Sequence, residues 1–335
     1  MTDPESFMQT SAKMSQAILQ SLVGRRVERM KLGLNPDKSP GGDPTHLAHY
    51  TTAQGLHGIV QHSNLWASAA YYLNDSSEID YGCQLFTSLL TKLIAEETLD
   101  PVPNNIFENA KKAFAPGGFM ESVVSRTYVT CFCEDENLLS QWRTYGQSGG
   151  YSISFPRTAL SSLTVNDEFY HAELQRVIYD KDLQGQLLQL VLSDMLSTLL
   201  EDNIKEMYKT ADLQGKQMFI IFFNTFLQTL AATEIVRFKH PAFEGEREWR
   251  LIVRPTSTHL NTQEMKYLQF RTARRLMVPY VEVRSKEGTS LPIAWVRYGP
   301  TLEKRRVQHS LDLLFKQKGY NQMTFKGSDI PVVLP

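Results

Sequence analysis

Residues 128–133, Tyr-Val-Thr-Cys-Phe-Cys, alternate β-forming side chains and predict a buried strand. A helix is expected over about 136–145, followed by the Gly149–Gly150 pair and a strand over 151–155. Farther along the chain, strand-forming residues recur in four segments: 248–254, 267–271, 276–283 and 293–298. Helices and strands do not alternate as in a doubly wound fold, so the sequence predicts the mixed α+β class.

The flanking sequence indicates the domain organisation. Residues 1–43 are predicted to hold an amphipathic helix, followed by a linker rich in Pro and Gly. Residues 44–335 are expected to form a single α+β domain. Within it, about 180–237 contain only two Gly, no Pro and long helical spacing of Leu, Ile and Phe. This segment predicts a helical insertion of two long helices.

The composition is that of an ordinary soluble globular protein. Of 335 residues, 42% are apolar and 21% charged. The 35 Lys and Arg nearly balance the 36 Asp and Glu, which argues against a strongly basic nucleic-acid coat protein. Three cysteines do not make a disulfide framework, no secretory signal is found, and the apolar run 218–223 is too short to span a bilayer. We therefore expect a cytoplasmic protein without a membrane partner.

Several common chemistries have no motif in this sequence. It contains no P-loop, no dinucleotide-binding Gly pattern and no G-x-S-x-G nucleophile elbow. His171-Ala-Glu173 matches half of a zinc-deaminase motif, but no P-C-x-x-C follows it. Cys131 and Cys133 are too close in sequence for a zinc knuckle. No metal site is predicted from these residues.

Polar residues gather instead in four segments at predicted strand ends. They are His49–Thr52, Trp66–Glu78, Gln141–Tyr145 and Glu244–Arg250. Each has a structural alternative: a core histidine at His49, a helix cap at Asp75 and Glu78, a solvated strand start at 244–248, and core packing by Trp142 and Tyr145. Ligand sites are commonly built from strand ends and loops, so the clustering favours a functional site.

The order of these motifs resembles a bacterial family, domain of unknown function 2971. The matching series is His-Tyr-Thr at 49, Leu-Trp-Ala-Ser at 65, Leu-Asn-Asp-x-x-Glu at 73, the Cys-Phe-Cys strand, Gln-Trp-x-x-Tyr-Gly at 141 and Glu-x-Glu-Trp-Arg at 246. The resemblance extends over about 46–331, interrupted by the helical insertion. The family name implies no activity.

The opening stretch, His-Tyr-Thr-Thr-x-x-Gly-Leu from His49, is also similar to the start of ADP-ribosyltransferase domains. Those domains have a second strand with an aromatic residue or Ser, and a late strand that begins with Glu, where this chain has Glu246-Arg-Glu248. The resemblance implies a mixed, mainly antiparallel sheet core of ADP-ribosyltransferase-like type. It also implies transfer of ADP-ribose from NAD to a protein or nucleic-acid target, in bacterial conflict or phage defence as a toxin or antiviral protein.

The chemistry assigns roles to the matching residues. Cleavage of the nicotinamide–ribose bond develops positive charge on the ribose, which the carboxylate of Glu248 can stabilise. Glu246, expected on the same face of an extended strand, is predicted to position or deprotonate the acceptor. His49 is predicted to bond a hydroxyl of NAD. The remaining predicted NAD contacts are Tyr50, Thr51, Trp66, Ser68, Tyr71, Tyr72, Asp75, Glu78 and Arg250.

Two alternatives stay open at the level of sequence. A metal-dependent nuclease could use Asp75, Glu78, Glu246 and Glu248 to hold a divalent cation. A non-catalytic nucleotide-binding module could use the same scaffold. The basic stretches 271–275 and 304–306 are compatible with a nucleic-acid target or with a solvated surface.

Overall fold

A computed structural model describes residues 13–22, 24–25, 42–73, 77–96, 99–115, 126–146, 149–256, 262–273, 275–286, 288–300 and 302–331. The chain divides into two compact units. The helical unit comprises 1–38, 74–125 and 178–240, and the sheet unit comprises 39–73, 126–177 and 241–335. Most of the predicted N-terminal linker lies outside the described residues.

All the strands of the described chain belong to the sheet unit. In chain order they are β1 His46–Thr51, β2 Leu65–Ala69, β3 Tyr128–Cys133, β4 Tyr151–Pro156, β5 Leu163–Thr164, β6 Tyr170–Arg176, β7 Glu248–Pro255, β8 Gln269–Ala273, β9 Leu276–Ser285, β10 Trp295–Tyr298 and β11 Thr324–Gly327. The main order across the sheet is β11-β10-β4-β1-β3-β2-β9-β5, while β7 pairs with β3 and β6, and β8 pairs with β9.

The helices divide between the units. In chain order they are α1 over 13–22, α2 Ala53–His62, α3 Ser77–Glu96, α4 Pro101–Ala113, α5 Leu139–Tyr145, α6 Arg157–Leu160, α7 Lys181–Leu199, α8 Asp202–Thr210, α9 Leu213–Ile235, α10 Thr262–Met265 and α11 Lys304–Gln317. The helical unit takes α1, α3, α4 and α7 to α9, and the sheet unit takes the others.

The sheet is mainly antiparallel, since each of its strand pairs is antiparallel apart from the parallel pair of β10 and β11. The mixed α+β class and the mainly antiparallel sheet are therefore confirmed. The predicted strand 128–133 is β3, with the predicted bounds. It is buried because strands flank it on both sides.

β3 organises the centre of the sheet. Along one side it pairs with β7 over its whole length. Along the other side, its first two residues pair with β2 and its last residue, Cys133, pairs with Ala48 of β1. The described residues of β1 and β2 give no Cα partner to residues 130–132. We call this place, where β1 and β2 diverge along one edge of β3, the strand split.

One face of the sheet carries the main hydrophobic core. Side chains that alternate along each strand point to it, among them Phe132 of β3 and Trp249 of β7. α2 covers this core through Leu56, Ile59 and Val60, which recur at helical spacing. Burying one such aliphatic side chain contributes about 1.5–3 kcal/mol.

The ends of α2 have clear local causes. The side chain of Thr52 accepts a hydrogen bond from the backbone N–H of Gly55 at 3.1 Å, which caps the first turn. The helix ends at Ser63, which adopts a left-handed backbone conformation with φ of 50°. α2 therefore begins directly after β1, and it fixes the direction in which the chain leaves that strand.

The predicted insertion contains three helices rather than two, because the short helix α8 lies between the two long ones. α9 packs against α4, α7 and α3, and buries Phe219, Phe223 and Leu227. By length and composition α9 is apolar enough to cross a membrane, a property that it shares with core helices of soluble proteins, and 39% of its most apolar window is buried. Within the apolar run 218–223, Phe219 and Phe223 are buried, whereas Ile221 is 47% exposed.

Candidate functional site

β7 begins later than the Glu-Arg-Glu motif suggests. Residues Pro241–Glu246 form a 3-10 helix, and Arg247 then adopts a left-handed backbone conformation with φ of 44°. β7 starts only at Glu248. The prediction that Glu246 and Glu248 share one face of an extended strand is therefore wrong. Glu246 ends the 3-10 helix, and its carbonyl accepts a hydrogen bond from the Cys133 thiol at 3.0 Å.

Glu248 and Arg250 form a buried ion pair. Arg250 donates to both carboxylate oxygens of Glu248, from Nε at 2.7 Å and from Nη2 at 3.2 Å. Two residues apart on β7, they lie on the same face, as predicted. Arg250, which was predicted as a contact to NAD, is paired with Glu248 in the structure. Because two donors hold the carboxylate, its orientation is fixed before any ligand arrives.

Strand registers place several predicted site residues on one face of the sheet. Glu248 lies opposite Cys133, and Arg250 lies opposite Cys131. Ser68 of β2 lies opposite Val129 of β3. Directly opposite residues in antiparallel strands share a face, as do residues two apart on one strand. Glu248, Arg250, Ser68 and Trp66 therefore share a face, which we call the polar face; it is opposite to the hydrophobic core.

Trp66 supplies an aromatic surface on the polar face. Its side chain is 46% exposed, and its ring lies 4.5 Å from the ring of Tyr280 on β9. Ser68, two residues along β2, accepts a hydrogen bond from Arg271 Nη2 at 3.1 Å. Burial lowers the pKa of Arg271, while the neighbouring Tyr280 raises it. Tyr280 and Arg271 were not predicted as residues of this site, because only the pairing of β2 with β9 and of β9 with β8 brings them here.

His49 lies at the strand split. Its Nδ1 is 2.9 Å from the carbonyl oxygen of Cys131, one of the β3 residues that lacks a strand partner on this side. Because a carbonyl oxygen only accepts, Nδ1 is the donor, and Nε2 of the neutral ring remains an acceptor. Burial lowers the pKa of His49, although the hydrogen bond to Cys131 raises it. The half-buried ring of His49 thus supplies a hydrogen bond to the Cys131 carbonyl oxygen on the side where Cys131 has no strand partner.

His49 and Glu248 do not share a face. His49 lies opposite Ile153 of the hydrophobic core, whereas its neighbour Ala48 lies opposite Cys133, which in turn lies opposite Glu248. β1 and β7 flank β3, so their backbones are about 10 Å apart at this point, twice the usual strand spacing. The strands that carry them are both paired with β3.

Tyr50 and Thr51 are positioned by the end of β1. The Tyr50 hydroxyl donates to the carbonyl of Asp135 and accepts from the N–H of Leu138, both at 2.8 Å. Its ring lies edge-on to Trp142 at 4.9 Å, and burial raises the pKa of its hydroxyl. Thr51 pairs with Tyr151 of β4. Tyr50 therefore fixes the chain that follows β3, and no proton is available from it near neutral pH.

The remaining predicted residues lie elsewhere. Tyr71 and Tyr72 belong to a 3-10 helix after β2, with their rings 6.3 Å apart. Glu78 belongs to α3 of the helical unit, where its carboxylate lies 3.4 Å from Lys239 Nζ. Asp75 lies outside the described residues. Glu78 thus has a structural partner in its own unit.

A second carboxylate network, centred on Glu136, was not predicted. Glu136 accepts hydrogen bonds from Ser154 at 2.9 Å, from Arg297 at 2.7 Å and from Trp295. Burial raises the pKa of Glu136, but these hydrogen bonds outweigh it and lower the pKa below its ordinary value. The partners come from β4 and β10, so the local sequence around Glu136 carries no signal for them. The network ties the loop after β3 to the far half of the sheet.

Metal-ligand geometry was searched across the part of the chain that the structure describes. No group of three or more His, Cys, Asp or Glu side chains there has an arrangement that could hold a metal ion. Glu248 is one of the carboxylates that the nuclease alternative would use to hold a divalent cation, and both of its oxygens accept hydrogen bonds from Arg250.

One family model matches part of the chain. No curated protein and no solved structure matches it. The segment that matches this family model is roughly a third of the chain and runs from α5 into β7. It includes Glu246, Glu248 and Arg250. Over residues 141–251 the chain matches the model of a family described as a protein of unknown function (DUF2971), which confirms the predicted resemblance to that family for this segment.

Proposed function

We propose that the sheet unit binds NAD at the strand split and transfers its ADP-ribose to an acceptor. The observation that carries this proposal is the fixed carboxylate of Glu248 on the polar face, in the same sheet region as the exposed ring of Trp66 and the split that holds His49. The split sheet, with a histidine on one diverging strand and a serine on the other, also supports an ADP-ribosyltransferase-like type of core.

The proposed roles follow from charge and exposure. Trp66, backed by Tyr280, offers a flat surface on which nicotinamide can stack. Nε2 of His49 accepts a hydrogen bond from a ribose hydroxyl. As the ribose–nicotinamide bond breaks, its electron pair leaves with nicotinamide, and the carboxylate of Glu248 stabilises the positive ribose. The acceptor nucleophile then bonds to the same carbon and gives its proton to Glu246 or to water.

Arg250 is a positioning residue in this proposal. It is only 2% exposed, and its guanidinium holds both oxygens of Glu248. A preorganised carboxylate does not have to reorient when charge develops on the substrate, which is the basis of electrostatic catalysis. The pair also places Glu248, which is only 6% exposed, beside a buried positive charge.

The test is Glu248→Gln, with Glu282→Gln as the matched control. The amide keeps the size of the side chain but removes the charge, so the rates of nicotinamide release and of label transfer from NAD to cell extract should fall about 10²- to 10³-fold. Glu282 lies opposite Trp66 on the same face and pairs with Arg284. Its amide variant should retain the wild-type rate.

Stability must be measured in parallel. Neutralising Glu248 leaves the buried Arg250 without its charge partner, which should lower the free energy of unfolding by about 3 kcal/mol or more. The rates are therefore compared at a temperature where thermal melts show both variants folded. A folded Glu248→Gln variant with the wild-type rate contradicts the proposal. Wild-type protein that leaves NAD intact but degrades nucleic acid with Mg²⁺ supports the nuclease alternative instead.

A further inference from the structure

The hairpin of β8 and β9 lies at an edge of the sheet and is strongly basic. The two strands and their turn, residues 269–285, contain Arg271, Arg274, Arg275 and Arg284 and a single acidic residue, Glu282, in a chain whose net charge is −1. In the described residues β8 pairs with β9 and with no further strand. Arg275 is exposed at the turn of the hairpin, where it adopts a left-handed backbone conformation with φ of 68°. Positive charge is thus concentrated on a projecting two-stranded ribbon.

The same hairpin exposes large apolar side chains. Phe270 is 54% exposed, Leu276 56% and Met277 61%. Phe270 lies opposite Pro279 and Thr272 lies opposite Met277, so Phe270 and Met277 share one face of the ribbon. Single exposed apolar residues are common on protein surfaces, but a cluster of them on one short ribbon indicates a binding surface.

We infer that the β8–β9 hairpin binds single-stranded nucleic acid. Charge complementarity selects the class of partner, because a ribbon with four arginines and a single acidic residue suits a polyanion. The exposed ring of Phe270 selects the single-stranded form, in which unpaired bases stack on aromatic side chains while basic residues contact the phosphates. Phe270 stacks with a base, Met277 packs beside it, and Arg275 contacts the phosphate backbone.

This inference does not depend on NAD chemistry. If the proposed transfer also holds, the hairpin gives the acceptor class, since β9 pairs directly with the strand that carries Trp66 and Ser68. Binding can be measured without NAD, so a failure of either proposal is visible separately.

The experiment is fluorescence anisotropy with labelled single-stranded DNA and RNA of about 20 nucleotides and mixed sequence. Phe270→Ala should weaken binding about 5- to 100-fold, the range for losing one stacked base. Arg275→Ala should weaken binding at low salt and reduce the slope of log K against log salt by about 0.7, the value for one lost phosphate contact. The controls are Leu213→Ala, whose side chain is 77% exposed, and Arg306→Ala, whose side chain is 92% exposed.

Two results overturn the inference. In the first, the wild-type protein binds neither oligonucleotide at low salt. Binding to vesicles that contain phosphatidylserine, without binding to either oligonucleotide, counts as the same result. In the other, the wild type binds, but Phe270→Ala and Arg275→Ala bind as tightly as the two control variants. Thermal melts of all four variants confirm that the substituted residues, which are exposed, leave the fold unchanged.

Discussion

At the scale of single residues, His49 shows how a structural and a functional role coincide. The histidine replaces a strand contact by donating to Cys131, and the same bond leaves Nε2 as a free acceptor in the neutral ring. From the sequence, His49 could be either a hydrogen-bonded core histidine or a ligand-binding residue. In the structure Nδ1 is hydrogen-bonded to Cys131, and this arrangement is compatible with either role.

The neutral state of His49 makes stability depend on pH. Burial lowers its pKa below the ordinary 6.5, so the unfolded chain binds a proton at a higher pH than the folded protein does. The contribution of the neutral ring is complete above about pH 6.5 and is lost progressively as the pH falls, by at most about 1.4 kcal/mol per pH unit. Denaturant unfolding of the wild type should therefore give a smaller free energy at about pH 5.5 than at about pH 7.5.

Two variants isolate the contribution of His49. His49→Asn keeps a donor for Cys131 but removes the titrating ring, so the fall in stability below about pH 6.5 should become shallower. His62→Asn, which changes an exposed histidine at the end of α2, is the matched control. Identical pH profiles for wild type and His49→Asn show that other groups cause the dependence.

At the scale of elements, the join between β1, α5 and β4 depends on Gly150. The pair Gly149–Gly150 suggests a flexible connection, but a Cβ on Gly150 would collide with Gly146 Cα and lie 2.8 Å from the carbonyl oxygen of Thr51. These are backbone atoms, which cannot move aside as a flexible side chain can. Gly150 also accepts a hydrogen bond from the N–H of Gly299 at 2.9 Å. The glycine therefore permits a close contact of three chain segments.

Gly150→Ala should lower the free energy of unfolding by about 1–3 kcal/mol, the usual cost of forcing extra volume into a packed site. Gly58→Ala is the matched control, since Gly58 lies inside α2 of the same unit and a Cβ there meets nothing within 4 Å. It should raise stability by about 0.5–1 kcal/mol, because Ala is the better helix former. Urea unfolding measures both, and equal effects of the two substitutions contradict the packing argument.

The same elements show what the sequence could and could not predict. The β3 strand was predicted with the observed bounds, because the alternation along 128–133 is a local signal. The 3-10 helix before β7 was not predicted. Arg247, which follows it, adopts a left-handed backbone conformation, and such a conformation is indicated in a sequence mainly by glycine, which is not the residue at position 247. Residue types alone also do not fix the face of His49 relative to Glu248. That depends on the register of β1 against β3, which is set by contacts distant in sequence.

At the scale of the whole molecule, the chain builds two compact units from interleaved segments. The helical unit takes residues from three parts of the sequence, so the segment 178–240 packs with helices that precede the central strand β3. At the base of this segment, Gln184 donates to the carbonyl oxygens of Ile178 and Lys239, at 2.6 and 3.0 Å. These two hydrogen bonds join the two ends of the segment 178–240 to each other.

α9 supplies the means to test whether the helical unit unfolds by itself. Phe223 is fully buried, whereas Ile221, two residues earlier on the same helix, is 47% exposed. Phe223→Ala should cost about 3–5 kcal/mol, since it removes a core aromatic side chain and leaves a cavity. Ile221→Ala should cost less than about 1 kcal/mol, as is usual for exposed positions.

Native-state hydrogen exchange measures where the loss of stability falls. If each unit is a cooperative unit, Phe223→Ala should speed exchange at the amides of α4, α7 and α9 and leave β3 and β7 as protected as in the wild type. The physical reason is that the side chain of Phe223 contributes to the core of the helical unit, while the sheet's own core is built around residues such as Trp249 and Ile153. Equal loss of protection in β3 and β7 contradicts independent unfolding, because it shows that the two units lose their structure in a single transition.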